Sequence, residues 1–438
     1  MTSQLLQPFF SRLEECAVER WEGRVLRVAG HLVESEGPFS SVGESCEIVG
    51  RSGRRFQGEI VGFRGPRVLS MCLDRPSGIR YGDRIFAWGR KPTVKVGDAL
   101  LGRVIDGSQQ ELDGLGLPHC PQQRAIDISG PRALDRLPIR EPLGCGIRVV
   151  DGLLTCGRGQ RMGIFGGSGV GKSTLIGMMT RGTSADLTVL ALIGERGREV
   201  REFLEDSLGE EGRRRSVVVV STSDESPLLR LRAALVATSI AEHFCDRGKN
   251  VLLVVDSLTR FAMAQREIGL AAGEPPTTKG YTPSVFSLLA RLIERAGKFR
   301  NGSITAFYTV LMEGDDQNDP LVDGARSLLD GHIVLDRSLA ARNHYPPISV
   351  LDSLSRLMPV VAPEEQKQQA RRVRELMASY AASEDLMRVG AYQKGADAML
   401  DRALAAMPTI QAFCQQAPSE GCTLEEAQRR LQLLPVTA

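Results

Sequence analysis

Hydrophobic and polar positions change rhythm several times along the 438 residues, and each rhythm predicts a different element. Over residues 1–20, Leu5, Leu6, Phe9, Phe10, Leu13 and Ala17 recur at helical spacing with Arg12, Glu14 and Glu15 between them, which predicts an amphipathic helix. Such a helix either packs on its own domain or offers its apolar face to a partner. Over 21–92 the pattern shortens to runs such as 24–28, 45–49, 56–63 and 67–73, parted by glycine-bearing turns. This predicts a small all-β barrel or sandwich, with Phe56, Phe63, Tyr81, Phe86 and Trp88 mostly in core positions. A Gly- and Pro-rich connector runs from Lys91 to Gly144. Beyond it, residues 189–193, 216–220, 251–255 and 304–310 are short and apolar, as strands buried on both faces of a parallel sheet are. They alternate with helix-compatible segments at 200–208, 228–244 and 285–296. After Pro363 the rhythm is helical: Val373, Leu376, Met377 and Tyr380 share a face, and Thr423 to Glu426 fit a capping box that opens a last helix. The expected organisation is a helix at 1–20, a β-barrel at 21–92, an α/β domain at 93–362 and a helical domain at 363–438.

Candidate chemistry gathers where strand rhythm gives way to helix rhythm. Residues 163–173 read GIFGGSGVGKS, an apolar lead that breaks into glycines and resumes as a helix-compatible run. Gly166, Gly167, Ser168, Gly169, Val170, Gly171, Lys172 and Ser173 fit G-x-x-x-x-G-K-[ST], and Thr174 follows. Small residues let backbone N–H groups converge on phosphate oxygens, the helix N-terminus adds its dipole, Lys172 reaches the β/γ-phosphates and the Ser173 hydroxyl holds Mg²⁺. Asp256 closes the apolar run VLLVVD, where a carboxylate can serve the same metal. Glu195 follows another strand, in LIGERGREV, where it can polarise a water near the γ-phosphate. Arg260, Gln265, Arg266 and Glu267 read either as a solvated helix face or as a subunit contact. Arg356 reads as an arginine finger or a surface residue, and Tyr345 as a base-stacking or a packing aromatic.

Charge and cysteine usage narrow the classes. Lys plus Arg number 55 and Asp plus Glu 53, for a net charge of +2, so no global basic field draws nucleic acid, and no nucleic-acid partner is expected. The nine cysteines are scattered without a C-x-x-C pair, as in reduced cytosolic proteins. Nothing at the start reads as a signal peptide and no apolar run approaches the roughly 20 residues of a bilayer span. A soluble cytoplasmic protein is expected, with any membrane role carried by partners.

Together these blocks resemble the catalytic ATPases of type III protein export, relatives of the rotary F-type catalytic subunit that serve bacterial flagella and virulence injectisomes. The likeness rests on GIRVVDGLLTCGRGQRMGIFGGSGVGKSTL, IGERGREVREF, DSLTRFAMAQREIGLAAGEPPTTKGYTPSVF, TVLMEGDDQNDPLVDGARSLLDGHIVL and DLMRVGAYQKG. The wording around Met263 to Glu267 and Gly273 to Gly280 is closer to the flagellar branch than to the injectisome branch. The resemblance implies an α/β fold: a P-loop, RecA-like ATPase core between a small N-terminal β-barrel and a C-terminal helical domain. It implies ATP and Mg²⁺, with Lys172 and Ser173 on phosphate and metal, Asp256 on the metal side, Glu195 activating water and Arg196 as a further cation beside the γ-phosphate. Tyr345 would pack the adenine and Arg356 would be the finger offered to a neighbouring subunit. It further implies a homo-oligomeric, hexameric ring, a central stalk protein, export cargo and chaperones, a stator-like regulator at the N-terminal helix, and attachment to the membrane export gate through partners. Hydrolysis would energise release and unfolding of cargo. A rotary synthase subunit fits less well, because the C-terminal helices lack an acidic DELSEED-like run, and an RNA translocase would want stacking aromatics and basic residues in the barrel.

Overall fold

The N-terminal alternation closes on itself. Strands β1 (Trp21–Ala29), β2 (Leu32–Glu36), β3 (Ser45–Val49), β4 (Arg55–Arg64), β5 (Arg67–Cys72) and β6 (Arg84–Ala87) form a closed barrel in the order β1-β2-β5-β4-β3-β6. The computed structural model describes residues 21–126, 130–312, 314, 316, 319–388 and 390–435, so the expected helix at 1–20 lies outside the described residues. Val25, Val33, Ile48, Phe56, Ile60 and Ile85 point into the barrel and fill it. Phe56 is the one of the five expected core aromatics that is buried there; Phe63 and Tyr81 are 49% and 75% exposed. The register of β4 against β5 shifts between Ile60 and Gly62, so Phe63 pairs with Val68, one residue from the end of the strand, where its ring stays half exposed. Phe86 stands on the outside beneath the Arg84 guanidinium, 4.8 Å from its ring centre. The barrel is tied to the rest of the chain by the Ser226 hydroxyl, which donates to the Leu73 carbonyl at 2.5 Å.

The second sheet contains β7 (Val104–Asp106), β8 (Arg161–Gly166), β9 (Leu187–Glu195), β10 (Ser216–Thr222), β11 (Asn250–Asp256), β12 (Ser303–Leu311), β13 (Gly331–Leu335) and β14 (Ile348–Ser355). Their spatial order is β14-β13-β8-β12-β11-β9-β10-β7, and the short strand Gly297–Lys298 pairs with β12 beside this path. Neighbours along it run parallel except β14, which is antiparallel to β13. Strands such as β9, buried from Leu187 to Gly194, are apolar but for Thr188 because helices cover both faces. Helices Pro227–Asp246, Leu258–Ala272 and Pro283–Ile293 pack on one face, and Lys172–Gly182 with the C-terminal helices packs on the other.

The C-terminal helices are Glu364–Arg388, Ala398–Cys414 and Leu424–Gln432. Thr423 caps the last one, its hydroxyl accepting from the Glu426 N–H at 3.2 Å, as the capping box predicts. Among the described residues, eight cysteines are free and buried. No helix among them is long and apolar enough to cross a membrane.

In an open parallel sheet, ligands bind beyond the carboxyl ends of the strands. Here β8, β11 and β9 all end at that border of the sheet, in Gly166, Asp256 and Glu195, with β12 between β8 and β11; the three residues are among those singled out from the sequence.

Candidate nucleotide site

The loop after β8 takes its shape from its glycines. Gly169 and Gly171 have φ of 77° and 100°, a left-handed region that other residues enter at a cost, and they let the chain reverse tightly into helix Lys172–Gly182. That helix has no side-chain cap, so its first N–H groups remain open toward the loop. Val170 turns inward and is 2% exposed, which pins the loop to the core. Gly166 and Gly167 are buried at its base, whereas Ser168, Gly169, Gly171, Lys172, Ser173 and Thr174 line a cavity of about 750 Å³.

Glu195 and Asp256 face the same cavity from the ends of β9 and β11. Lys172 is 9% exposed, and burial lowers the affinity of its amine for a proton while Asp256 and Glu195 oppose that shift. Asp256 is 5% exposed and accepts from the Thr309 hydroxyl at 2.5 Å. Burial, then the Asp256 charge, then Glu199 push the Glu195 carboxyl up to about 7. Glu199 shares a hydrogen bond with Glu195 and is shifted the opposite way, so the proton of the pair resides on Glu195. Arg196 stands at the cavity mouth, largely exposed, with Glu199 3.2 Å from its guanidinium.

Arg260 also lines this cavity, which the sequence reading missed. The strand-end Asp256 is followed by Ser257, which caps helix Leu258–Ala272 by accepting from the Arg260 N–H at 3.3 Å. Arg260 therefore lies in the first turn, where the helix dipole disfavours a cation unless an anion sits opposite; that conflict was the available signal. Its stem packs so close to Gly194, at φ 70°, that a Cβ there would lie 3.0 Å from it. The rest of that charged cluster separates: Gln265 donates to the Ser284 hydroxyl at 2.8 Å, Arg266 lies 5.7 Å from the Tyr281 ring centre, and Glu267 pairs with Arg230 at 2.9 Å.

Tyr345 stands against the loop, with its ring 3.8 Å from where a Cβ on Gly171 would be. It is 43% exposed and borders a second cavity of about 310 Å³ with Asn343 and residues Gln415 to Pro418. Arg356 is elsewhere. Ser355 pairs with Gly331, and the next residue of β13, His332, is level with Gly163 of β8. Arg356 is thus level with Arg161, five residues below Gly166 and roughly 16 Å along the strands, at the opposite end of the sheet's strands from the cavity. It is exposed, as are Leu351 (40%), Leu354 (46%) and Val360 (60%) around it.

A glycine-built phosphate loop, a strand-end aspartate on the same cavity and a glutamate held near neutrality define a P-loop nucleotide hydrolase. The nucleotide-binding domain of the ATP synthase alpha/beta family matches residues 146–355, its β-barrel domain matches 25–89, and the T3SS EscN ATPase C-terminal domain matches 362–433. The flagellum-specific ATP synthase of Bacillus subtilis is 51% identical over 407 residues, 92% of this chain and 93% of that one. The type 3 secretion system ATPase of Xanthomonas euvesicatoria is 50% identical over 405 residues, 92% of each. The solved structure of assembled EscN with its central stalk EscO, from enteropathogenic E. coli, superposes with a TM-score of 0.87 at 43% identity, over 95% of this chain and 100% of that one. The chain belongs to the ATP synthase alpha/beta family, and within it to the ATPases of type III export.

Proposed function

We propose that this chain hydrolyses Mg-ATP to energise flagellar type III protein export, by release and unfolding of cargo and its chaperones, in the cytoplasm beside the membrane export apparatus. The observation that carries the reading is the convergence of Lys172, Glu195 and Asp256 on one cavity while Arg356 lies outside it, at the opposite end of the strands. Lys172 offsets β/γ-phosphate charge, and the N–H groups of the loop hold the phosphate oxygens. Glu195, once ionised, orients the attacking water and accepts its proton. Arg196 and Arg260 meet the developing charge from the cavity walls, and Tyr345 stacks on the adenine. The hydroxyl of Ser173 and the carboxylate of Asp256 are hard oxygen donors suited to Mg²⁺, which when bound would neutralise phosphate charge.

Arg356 serves a neighbouring copy. A finger outside its own cavity and framed by exposed Leu351 and Leu354 suits a head-to-tail contact, and such contacts close only as a ring. The assembled EscN and its central stalk support an oligomer with a stalk partner, and a homohexamer is the form we assign.

The near-equal identity to the Xanthomonas secretion ATPase favours one second reading, an injectisome motor of the same chemistry. A strain carrying Lys172→Ala tests both: loss of flagellar filaments supports the first, loss of effector secretion with filaments intact supports the second, and no export phenotype contradicts both.

A further inference from the structure

The C-terminal helical domain is fixed to the nucleotide domain at helix Arg148–Leu153 by two buried glutamines. Gln366, 1% exposed, donates to the carbonyls of Asp151 and Gly152, at 2.9 Å each, and accepts from Gln428 at 2.9 Å. Gln416, 4% exposed, is held as completely: its Oε1 accepts from the Arg148 N–H at 2.7 Å, and its Nε2 donates to the carbonyls of Gly146 at 2.9 Å and Glu420 at 2.8 Å. A buried amide with its acceptor and both donors engaged has a single orientation.

The two differ in what their backbones touch. The N–H of Gln416 donates to the carbonyl of Tyr345 at 2.9 Å, and Gln416 borders the cavity beside that ring. Arg148 grips the same segment, donating to the Phe413 carbonyl at 2.8 Å, to the Gln415 carbonyl and to the Glu420 carboxylate at 2.5 Å. Arg181, in the last turn of the phosphate-loop helix, donates to the Pro418 carbonyl at 2.7 Å. The segment from Phe413 to Glu420 is thereby joined at once to the Tyr345 loop, to helix Arg148–Leu153 and to the far end of the phosphate-loop helix.

We propose that Gln416 is a positioning residue for nucleotide turnover. Its side chain, locked between Arg148 and Gly146, sets where its N–H lies and so where the Tyr345 loop lies. This rests on the reading of the Tyr345 cavity as the base site.

The test uses the full chain with two substitutions of similar volume, Gln416→Met and Gln366→Met, and two ligands, ATP and inorganic tripolyphosphate, which has no base. Gln416→Met is expected to raise the KM for ATP roughly tenfold while the inhibition constant of Mg-tripolyphosphate stays within about twofold. Gln366→Met, which loosens the same domain without touching the Tyr345 loop, should leave the ratio of the two constants unchanged. An unchanged ratio in Gln416→Met, or an equal change in Gln366→Met, overturns the proposal. If Gln416→Met does not fold, Gln416→Glu, which keeps the acceptor for Arg148 and loses both donors, is read by the same ratio. If Tyr345→Ala leaves the KM for ATP unchanged, the base-site reading fails and the proposal falls with it.

Discussion

Replacing Glu195 with glutamine separates what this carboxyl does for chemistry from what it costs the fold. Burial and the neighbouring Asp256 hold it at about 7 in place of the usual 4.5, so the folded protein binds its proton more tightly than the unfolded chain does. A carboxyl raised in the folded state stabilises fully below 4.5 and loses that contribution as pH climbs to about 7, beyond which the loss is constant. At 1.36 kcal/mol per tenfold the full difference is about 3 kcal/mol, and screening by water at the cavity mouth reduces it to about 1–2 kcal/mol. Glu195→Gln removes the ionisation and should be more stable than the unaltered protein by about that amount at pH 8, with the advantage shrinking toward pH 4.5. Its kcat should fall by roughly 10²- to 10⁴-fold, because glutamine accepts no proton. Urea denaturation at the two pH values reads stability, and phosphate release reads activity. Equal urea midpoints at pH 8, or a stability gain that does not diminish on acidification, would refute the electrostatic reasoning. In the unaltered protein, kcat/KM should decline as pH falls through 7, since the carboxylate is the competent form.

Three further outcomes follow from the same geometry. Asp256→Asn removes a metal-side charge while leaving Thr309 a partner, so the Mg²⁺ concentration giving half-maximal ATPase activity should rise about tenfold or more. Tyr345→Ala should raise the KM for ATP about tenfold through lost base stacking, with kcat nearly unchanged in steady-state assays. Gly194→Ala forces a side chain into φ 70° against the Arg260 stem; it should cost about 1–3 kcal/mol in urea denaturation and lower kcat together with stability.

Local rules were enough to read the phosphate loop, because its glycines, lysine and serine each answer a local demand, and the strand-end positions of Asp256 and Glu195 followed from the apolar runs before them. The sheet edges were less legible. Strand β7 is three residues long inside a Gly- and Pro-rich connector, and β14 alternates buried Ile348, Val350 and Ser353 with exposed Leu351 and Leu354, as an edge strand does. Neither carries the continuous apolar run that marked the central strands. Helix Glu364–Arg388 continues past Tyr380, the last residue of the apolar face read from the sequence, with an exposed second half held by local pairs such as Arg388 with Glu384 at 2.6 Å. Arg260 reads from the sequence as part of a solvated face or a subunit contact because on a helix pattern it counts as one more polar position, and only the juxtaposition of β9, β11 and the phosphate loop gives it an anion site to face. The Gln416 contacts span 268 and 270 residues to Arg148 and Gly146, a distance over which no periodicity speaks.

The central claim is that each cavity is completed by the Arg356 of a neighbouring copy. Mixing Arg356→Ala, which keeps the cavity and loses the finger, with Lys172→Ala, which keeps the finger and loses the phosphate contact, tests this directly. Each variant alone should be nearly inactive, by about 10³-fold for the missing finger. Equimolar mixtures allowed to assemble should recover up to about a quarter of the activity, since about one interface in four pairs an intact cavity with an intact finger. A mixture no more active than its separate components, under conditions where the copies co-assemble, would contradict the claim.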